Sequence, residues 1–129
     1  MIYDAHKDED IRLRQILDSA PAVIYLKDRQ GRYTFVNRHF ELLSSFSAEQ
    51  VLGKTDFDLF PKEVADNSYR NDMKVLESGM PLEIEEFGPV DGELHTFISV
   101  KFPIYDSEGD IAELCGIRSE EHTSELQSH

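Results

Sequence analysis

Tyr25-Leu26-Lys27-Asp28-Arg29-Gln30-Gly31-Arg32-Tyr33-Thr34-Phe35-Val36-Asn37 decides how this chain is read. Two apolar runs rich in β-branched and aromatic residues, 22–27 and 32–36, flank a polar Asp-Arg-Gln-Gly link. That pattern predicts a β-hairpin, with Gly31 supplying the positive φ of a tight turn. Asn37 follows the second run and precedes an amphipathic one, which predicts a helix N-cap whose side-chain oxygen accepts a backbone N–H of the first turn. The rest of the chain covers or extends this unit.

Upstream, Asp8, Glu9 and Asp10 place negative charge where a helix N-terminus favours it, and a helix over 8–17 ends at Ala20-Pro21. Downstream, Phe40, Leu43 and Phe46 share a helical face. Ser47 and Gln50 have capping-box spacing, and Gly53 stops that short helix. A further turn over 55–60 is broken by Pro61, and 62–78 is the longest helix candidate, stopped by Gly79. From Pro81 the period becomes two. Leu82, Ile84 and Glu86 oppose Glu83, Glu85 and Phe87; a turn spans 88–92; strands then run over 95–104 and 111–117. Helix, two strands, short helices, one longer helix and three strands make an α+β domain with an antiparallel sheet covered on one face.

The run from Ala20 through Asp28 with Gly31 and Asn37, then Leu52-Gly53-Lys54-Thr55, Asp58-Leu59-Phe60-Pro61, and Lys101–Asp106 with Gly109 resembles a PAS domain of bacterial signal-transduction proteins, over roughly residues 10 to 117. The resemblance implies a PAS-like five-stranded antiparallel sheet with the helices on one face, preceded by an N-terminal helix. In that arrangement the last strands pair beside the first, and residues 22–27 form the central strand. It implies that Asp28, Gly31, Asn37, Gly53, Asp106 and Gly109 are structural-motif positions. It also implies an Asp-x-Thr element and a linker helix after the last strand, leading to an output module of histidine-kinase or cyclic-dinucleotide-enzyme type. Arg118-Ser119-Glu120 stand there instead.

Residues 118–129 resemble the translation of a sequencing adapter. The organisation expected is therefore a flanking helix or linker over 1–19, a PAS domain over 20–117, and a non-native tail over 118–129, with the effector domain missing. Without that tail, 12 basic and 23 acidic residues leave a net charge of −11 in place of −13. Either value argues against nucleic acid or an anionic membrane as partner, since both reward basic patches. No apolar run approaches a membrane span, and no signal-peptide profile opens the chain. Cys115, the single cysteine, cannot form an internal disulfide. The expected location is cytoplasmic, with no membrane contact from this segment.

Chemistry-bearing motifs are sparse. Asp56-Phe57-Asp58 spells a DxD pair, for which helix capping outweighs metal binding because spacing ties no further carboxylate to it. No metal is expected. No nucleophile elbow or glycine-rich phosphate loop is present, so no catalytic residue is nominated and a non-enzymatic sensor is expected. Haem-binding PAS relatives supply a His from the long helix; here 62–78 has none, although Met73 could approach an iron. Flavin-binding relatives present a Cys in mid-domain, where 53–60 has none. Haem and covalent flavin are thus disfavoured, which leaves no cofactor or a small organic ligand.

Ile24, Leu26, Phe35, Phe40, Leu43, Phe57, Phe60, Met73, Leu76, Phe97 and Val100 are the candidates for the space between sheet and helices. They fit either a pocket for a small, partly apolar ligand or a fully packed core, the commoner outcome at such spacings. The functional alternatives are a ligand sensor that relays through terminal helices, a ligand-free module dimerising through the 8–17 helix or a sheet face, and a small enzyme.

Overall fold

The computed structural model describes residues 5–120. The elements are α1 (Ala5–Ser19), β1 (Val23–Asp28), β2 (Tyr33–Val36), α2 (Arg38–Ser44), α3 (Ala48–Val51), α4 (Asp56–Leu59), α5 (Lys62–Ser78), β3 (Leu82–Val90), β4 (Glu93–Tyr105) and β5 (Ile111–Glu120). The five strands form one antiparallel sheet in the order β2-β1-β5-β4-β3.

The opening hairpin forms as its residues dictate. Asp28 Oδ1 accepts the backbone N–H groups of Gln30 at 2.9 Å and Arg32 at 3.0 Å, and Gly31 turns at φ 85°. Asn37 does more than cap α2. Its Oδ1 accepts from Phe40 N at 3.1 Å and Ile24 N at 3.0 Å, while Nδ2 donates to the carbonyls of Leu17 at 2.7 Å and Ala22 at 2.9 Å. One buried amide thus ties α1, β1 and α2 together. The Ser47/Gln50 capping box forms, and Gly79 ends α5 in the left-handed region.

Two local expectations need correction. The middle of the sheet is β5, not the strand at 22–27: β1 pairs with β2 on one side and β5 on the other, and β5 also pairs with β4. The hairpin occupies β1's first edge, so the last strand fills the only place between the two strand groups. The turn expected over 88–92 shrinks to Asp91-Gly92, at φ 51° and 82°, the pair of positive angles a two-residue hairpin prefers. Gly88 and Pro89 belong to β3, an edge strand that tolerates proline. At the C-terminal end β5 passes Ile117, and Arg118, Ser119 and Glu120 pair with Ser99, Ile98 and Phe97. The remainder of the suspected tail, 121–129, and residues 1–4 lie outside the described residues.

Strand alternation sends Val23, Tyr25 and Lys27 of β1, Leu114 and Gly116 of β5, and Phe97, Ser99 and Lys101 of β4 to the face that α2–α5 cover. The core centres on Tyr25, Tyr33 and Phe40, whose rings meet edge-to-face with centroids 5.4–6.4 Å apart. Ile24, Leu26, Phe35, Phe102 and Ile117 point to the opposite face, where α1 lies along the margin.

Candidate functional site

The covered face holds an ion cluster in place of a purely apolar centre. Lys101 is 0% exposed, Lys27 2% and Glu86 2%. Lys27 Nζ donates to Asp56 Oδ2 at 2.6 Å, Asp72 Oδ2 at 2.7 Å and Ser68 Oγ at 3.3 Å. Lys101 Nζ donates to Asp72 Oδ1 at 2.6 Å and Ser68 Oγ at 3.4 Å, and lies 2.6 Å from Glu86 Oε2. Tyr33 donates its hydroxyl to Asp56 Oδ1, while Ser99 Oγ and Asn71 Nδ2 donate to Glu86 at 2.8 and 2.9 Å. Asp72 is the hub, with one carboxylate oxygen on each lysine. Sheet strands β1, β3 and β4 supply Lys27, Glu86 and Lys101; helices α4 and α5 supply Asp56 and Asp72.

Pairing decides the protonation states. Burial alone would make Lys27 more acidic, but Tyr33, Asp56 and Asp72 together hold its ammonium well above the usual value. Lys101 behaves likewise: Tyr25, Asp72 and Glu86 overcome burial and the repulsion from Lys27. Burial would raise Asp56 and Glu86, yet the neighbouring ammonium and the hydrogen bonds to each keep both below the ordinary carboxylate range. Carboxylates held low stabilise the fold above their unfolded-state values of about 4, and that contribution disappears as pH falls through the folded values. Lysines held high stabilise it below about 10.4, and the contribution disappears as pH rises through the folded values. Plotted against pH, the urea midpoint is therefore expected to fall on the acid side more steeply in the parent chain than in Asp56→Asn. Parallel acid limbs would refute that role for Asp56.

Beside the cluster, the hairpin and α5 enclose a cavity of about 340 Å3. Lys27 and Asp72 form its charged wall, and Tyr69, Met73, Leu76 and Leu114 its apolar one. A second, strongly apolar groove of about 500 Å3 lies on the opposite sheet face, between α1 and Ile24, Leu26, Phe35, Phe102 and Ile117.

The eleven apolar candidates do not converge on one space. Met73 and Leu76 line the cavity. Phe40, Leu43 and Phe60 pack in or against the core. Phe97 is buried beneath the Arg118 guanidinium, 5.0 Å from the ring centroid. Ile24, Leu26, Phe35 and Val100 belong to the other sheet face, because a one-residue step along a strand reverses the side on which a side chain lies. Phe57 is 51% exposed and meets Tyr69 edge-to-face at 6.1 Å. Within the DxD pair, Asp58 accepts the Thr55 backbone N–H at 3.0 Å, whereas Asp56 turns inward to Lys27. Cys115 faces the apolar groove, and burial together with Glu113 pushes its thiol up to about 11.

Sequence reasoning singled out Asp56, weighed as a helix cap against a metal ligand, and missed the other four members and the cluster itself. A signal existed: Lys27 is in phase with Val23 and Tyr25, Lys101 with Phe97 and Ser99, and Glu86 with Leu82 and Ile84.

An antiparallel five-stranded sheet, roofed by short helices and one long one over a buried polar centre with an adjoining cavity, defines an open-sheet α+β domain. The chain belongs to the PAS family: the family model described as PAS fold matches residues 17–125. Among curated proteins it is similar to the methanogenesis regulatory histidine kinase FilI of Methanothrix harundinacea, 36% identical over 82% of this chain and 12% of the kinase. It is also similar to a diguanylate cyclase of Vibrio cholerae, 26% identical over 81% of this chain and 34% of the cyclase. The chain thus spans a minor part of each. Among solved structures, the PAS domain of a Colwellia psychrerythraea protein superposes with a TM-score of 0.74 at 21% identity, covering 93% of this chain and 99% of that one. VqmA bound to DPO gives 0.74 at 25% identity, covering 86% and 57%. The PAS domain is a sensory module, homologous to the sensor domains of histidine kinases and of a diguanylate cyclase. Among the described residues no helix is long and apolar enough to cross a membrane.

Proposed function

We propose that this segment is the cytoplasmic, non-catalytic input of a larger protein of histidine-kinase or cyclic-dinucleotide-enzyme type, and that it senses a small organic ligand in the cavity between hairpin and α5. The observation that carries this reading is an apolar-walled cavity ending on the Lys27–Asp72 ion pair. VqmA, of similar fold, is solved with DPO bound, which supports a ligand in this fold. Residues 20–117 form the sensing unit. We assign 118–129 to a non-native tail on its likeness to a translated sequencing adapter. The acidic balance supports partners other than nucleic acid.

Screening a library of small metabolites by NMR tests the sensor reading. At least one compound is expected to shift the methyl signals of Met73, Leu76 and Leu114 saturably, and a library that leaves all three unmoved overturns it.

A specific observation favours a second reading, a dimerisation module. Ile11, Leu13 and Ile16 of α1 are 48%, 55% and 65% exposed beside the apolar groove. A mass that doubles with concentration, together with no ligand, would select it.

A further inference from the structure

The charged wall of the cavity constrains what can bind there. Lys27 has all three N–H groups engaged, with Asp56, Asp72 and Ser68, so it has none left for a ligand. Asp72 Oδ1 accepts from Lys101 and Oδ2 from Lys27, and each carboxylate oxygen can accept a second hydrogen bond. Of the three cluster acids only Asp72 reaches the cavity, and its side chain is 11% exposed. The cluster also holds three carboxylates against two ammonium groups, leaving one negative charge in excess. A group bound at Asp72 must therefore donate, and a cation suits the local excess, which the Arg118 guanidinium over the Phe97 ring offsets only from outside the ion pairs.

The other charged residues on the lining, Asp28 and Arg29, sit at the hairpin turn. Asp28 is engaged by Arg32 at 2.8 Å, and Arg29 donates to the Ile111 carbonyl at 3.0 Å. Tyr69, Met73, Leu76 and Leu114 offer an apolar surface to the rest of the ligand.

We propose that the cavity takes a small primary or secondary ammonium compound with an apolar body, its N–H groups donated to the Asp72 carboxylate. This names the ligand class for the sensor reading above and rests on it. An anion of the same shape would face acceptors at the Asp72 wall; the donors left on the lining include the Arg29 guanidinium, which is exposed to water and so a weaker anchor. A neutral alcohol could donate but would leave the excess charge unbalanced.

The test titrates the full 129-residue chain with benzylamine, benzyl alcohol and phenylacetate at neutral pH and moderate salt, following the Met73, Leu76 and Leu114 methyl signals. Benzylamine is expected to bind saturably and roughly tenfold more tightly than benzyl alcohol, since a charge-assisted hydrogen bond is about twice as strong as a neutral one. Phenylacetate is expected not to bind. Asp72→Asn is expected to abolish the preference for the amine. Because that change also deprives both lysines of a partner, Leu76→Trp serves as a second variant: it fills the cavity without touching the cluster and is expected to abolish binding while urea unfolding stays cooperative. Benzyl alcohol or phenylacetate binding as tightly as benzylamine overturns the ammonium class but leaves a ligand site standing. Benzylamine shifts that persist in Leu76→Trp overturn the site. If none of the three probes moves the methyl signals, the ammonium proposal is overturned, and the library screen alone then decides the sensor reading.

Discussion

Lys27→Met is expected to lower the free energy of unfolding by about 3–5 kcal/mol, the usual loss when one member of a buried ion pair is removed. The substitution keeps most of the side-chain volume, so the loss is electrostatic in origin. It leaves Asp56 with only the Tyr33 hydroxyl and Ser68 nearby, Asp72 with only Lys101, and the buried cluster one charge more negative. Combining it with Asp56→Leu removes an acid with the base and restores the original imbalance. The double variant is therefore expected to recover part of the loss, because apolar replacement of a whole buried pair is often neutral or better. Urea denaturation of the three chains measures this. A Lys27→Met midpoint equal to that of the parent would show that the cluster contributes nothing to folding.

Gly116→Ala is expected to be nearly as damaging, by about 3 kcal/mol, for a steric reason. Gly116 sits mid-sheet between Tyr25 of β1 and Lys101 of β4. A Cβ built there lies 2.2 Å from Tyr25 Cζ and 2.3 Å from its Oη. The ring has little room to withdraw: Tyr25 is 2% exposed and held by Tyr33 and Phe40. The requirement concerns space alone, since this glycine is not among those with positive φ. Tyr25→Leu in the same chain is expected to make the two losses less than additive, as for residues in contact. Thermal unfolding of the single and double variants decides it, and strict additivity would mean that the ring is not what the methyl group meets.

The legible parts of this fold are local ones. The first hairpin, the Asn37 cap, the Ser47/Gln50 box and the helix over 62–78 each depend on residues within a few positions of one another, and each forms. The place of β5 depends on which edge of β1 the first hairpin leaves open, a relation between segments about ninety residues apart. The cluster was hidden for a related reason. Alternation puts Lys27, Lys101 and Glu86 on a face with apolar residues, but an isolated charge in an interior is prohibitive, so alternation alone does not mark them as buried. Only Asp56 and Asp72, 29 and 45 positions from Lys27, make it tolerable. The apolar list misled differently. Both sheet faces carry large apolar side chains, and nothing within a strand states which face the helices cover.

Asn37 has one further consequence, for mechanics. Helix α1 touches the domain lightly: its amphipathic face is half exposed, Arg14 rests on Phe35 at 4.8 Å, and Asp18 accepts the Arg38 N–H at 3.0 Å. Its firmest attachment is the Leu17 carbonyl on the Asn37 amide, whose oxygen grips the Ile24 N–H. A torque on α1 therefore arrives at the Asn37 amide, which also holds the Phe40 N–H of the core and the Ile24 N–H at the base of β1, three residues before Lys27. The amide is therefore the point through which a displacement of β1 at Ile24 would reach the last turn of α1.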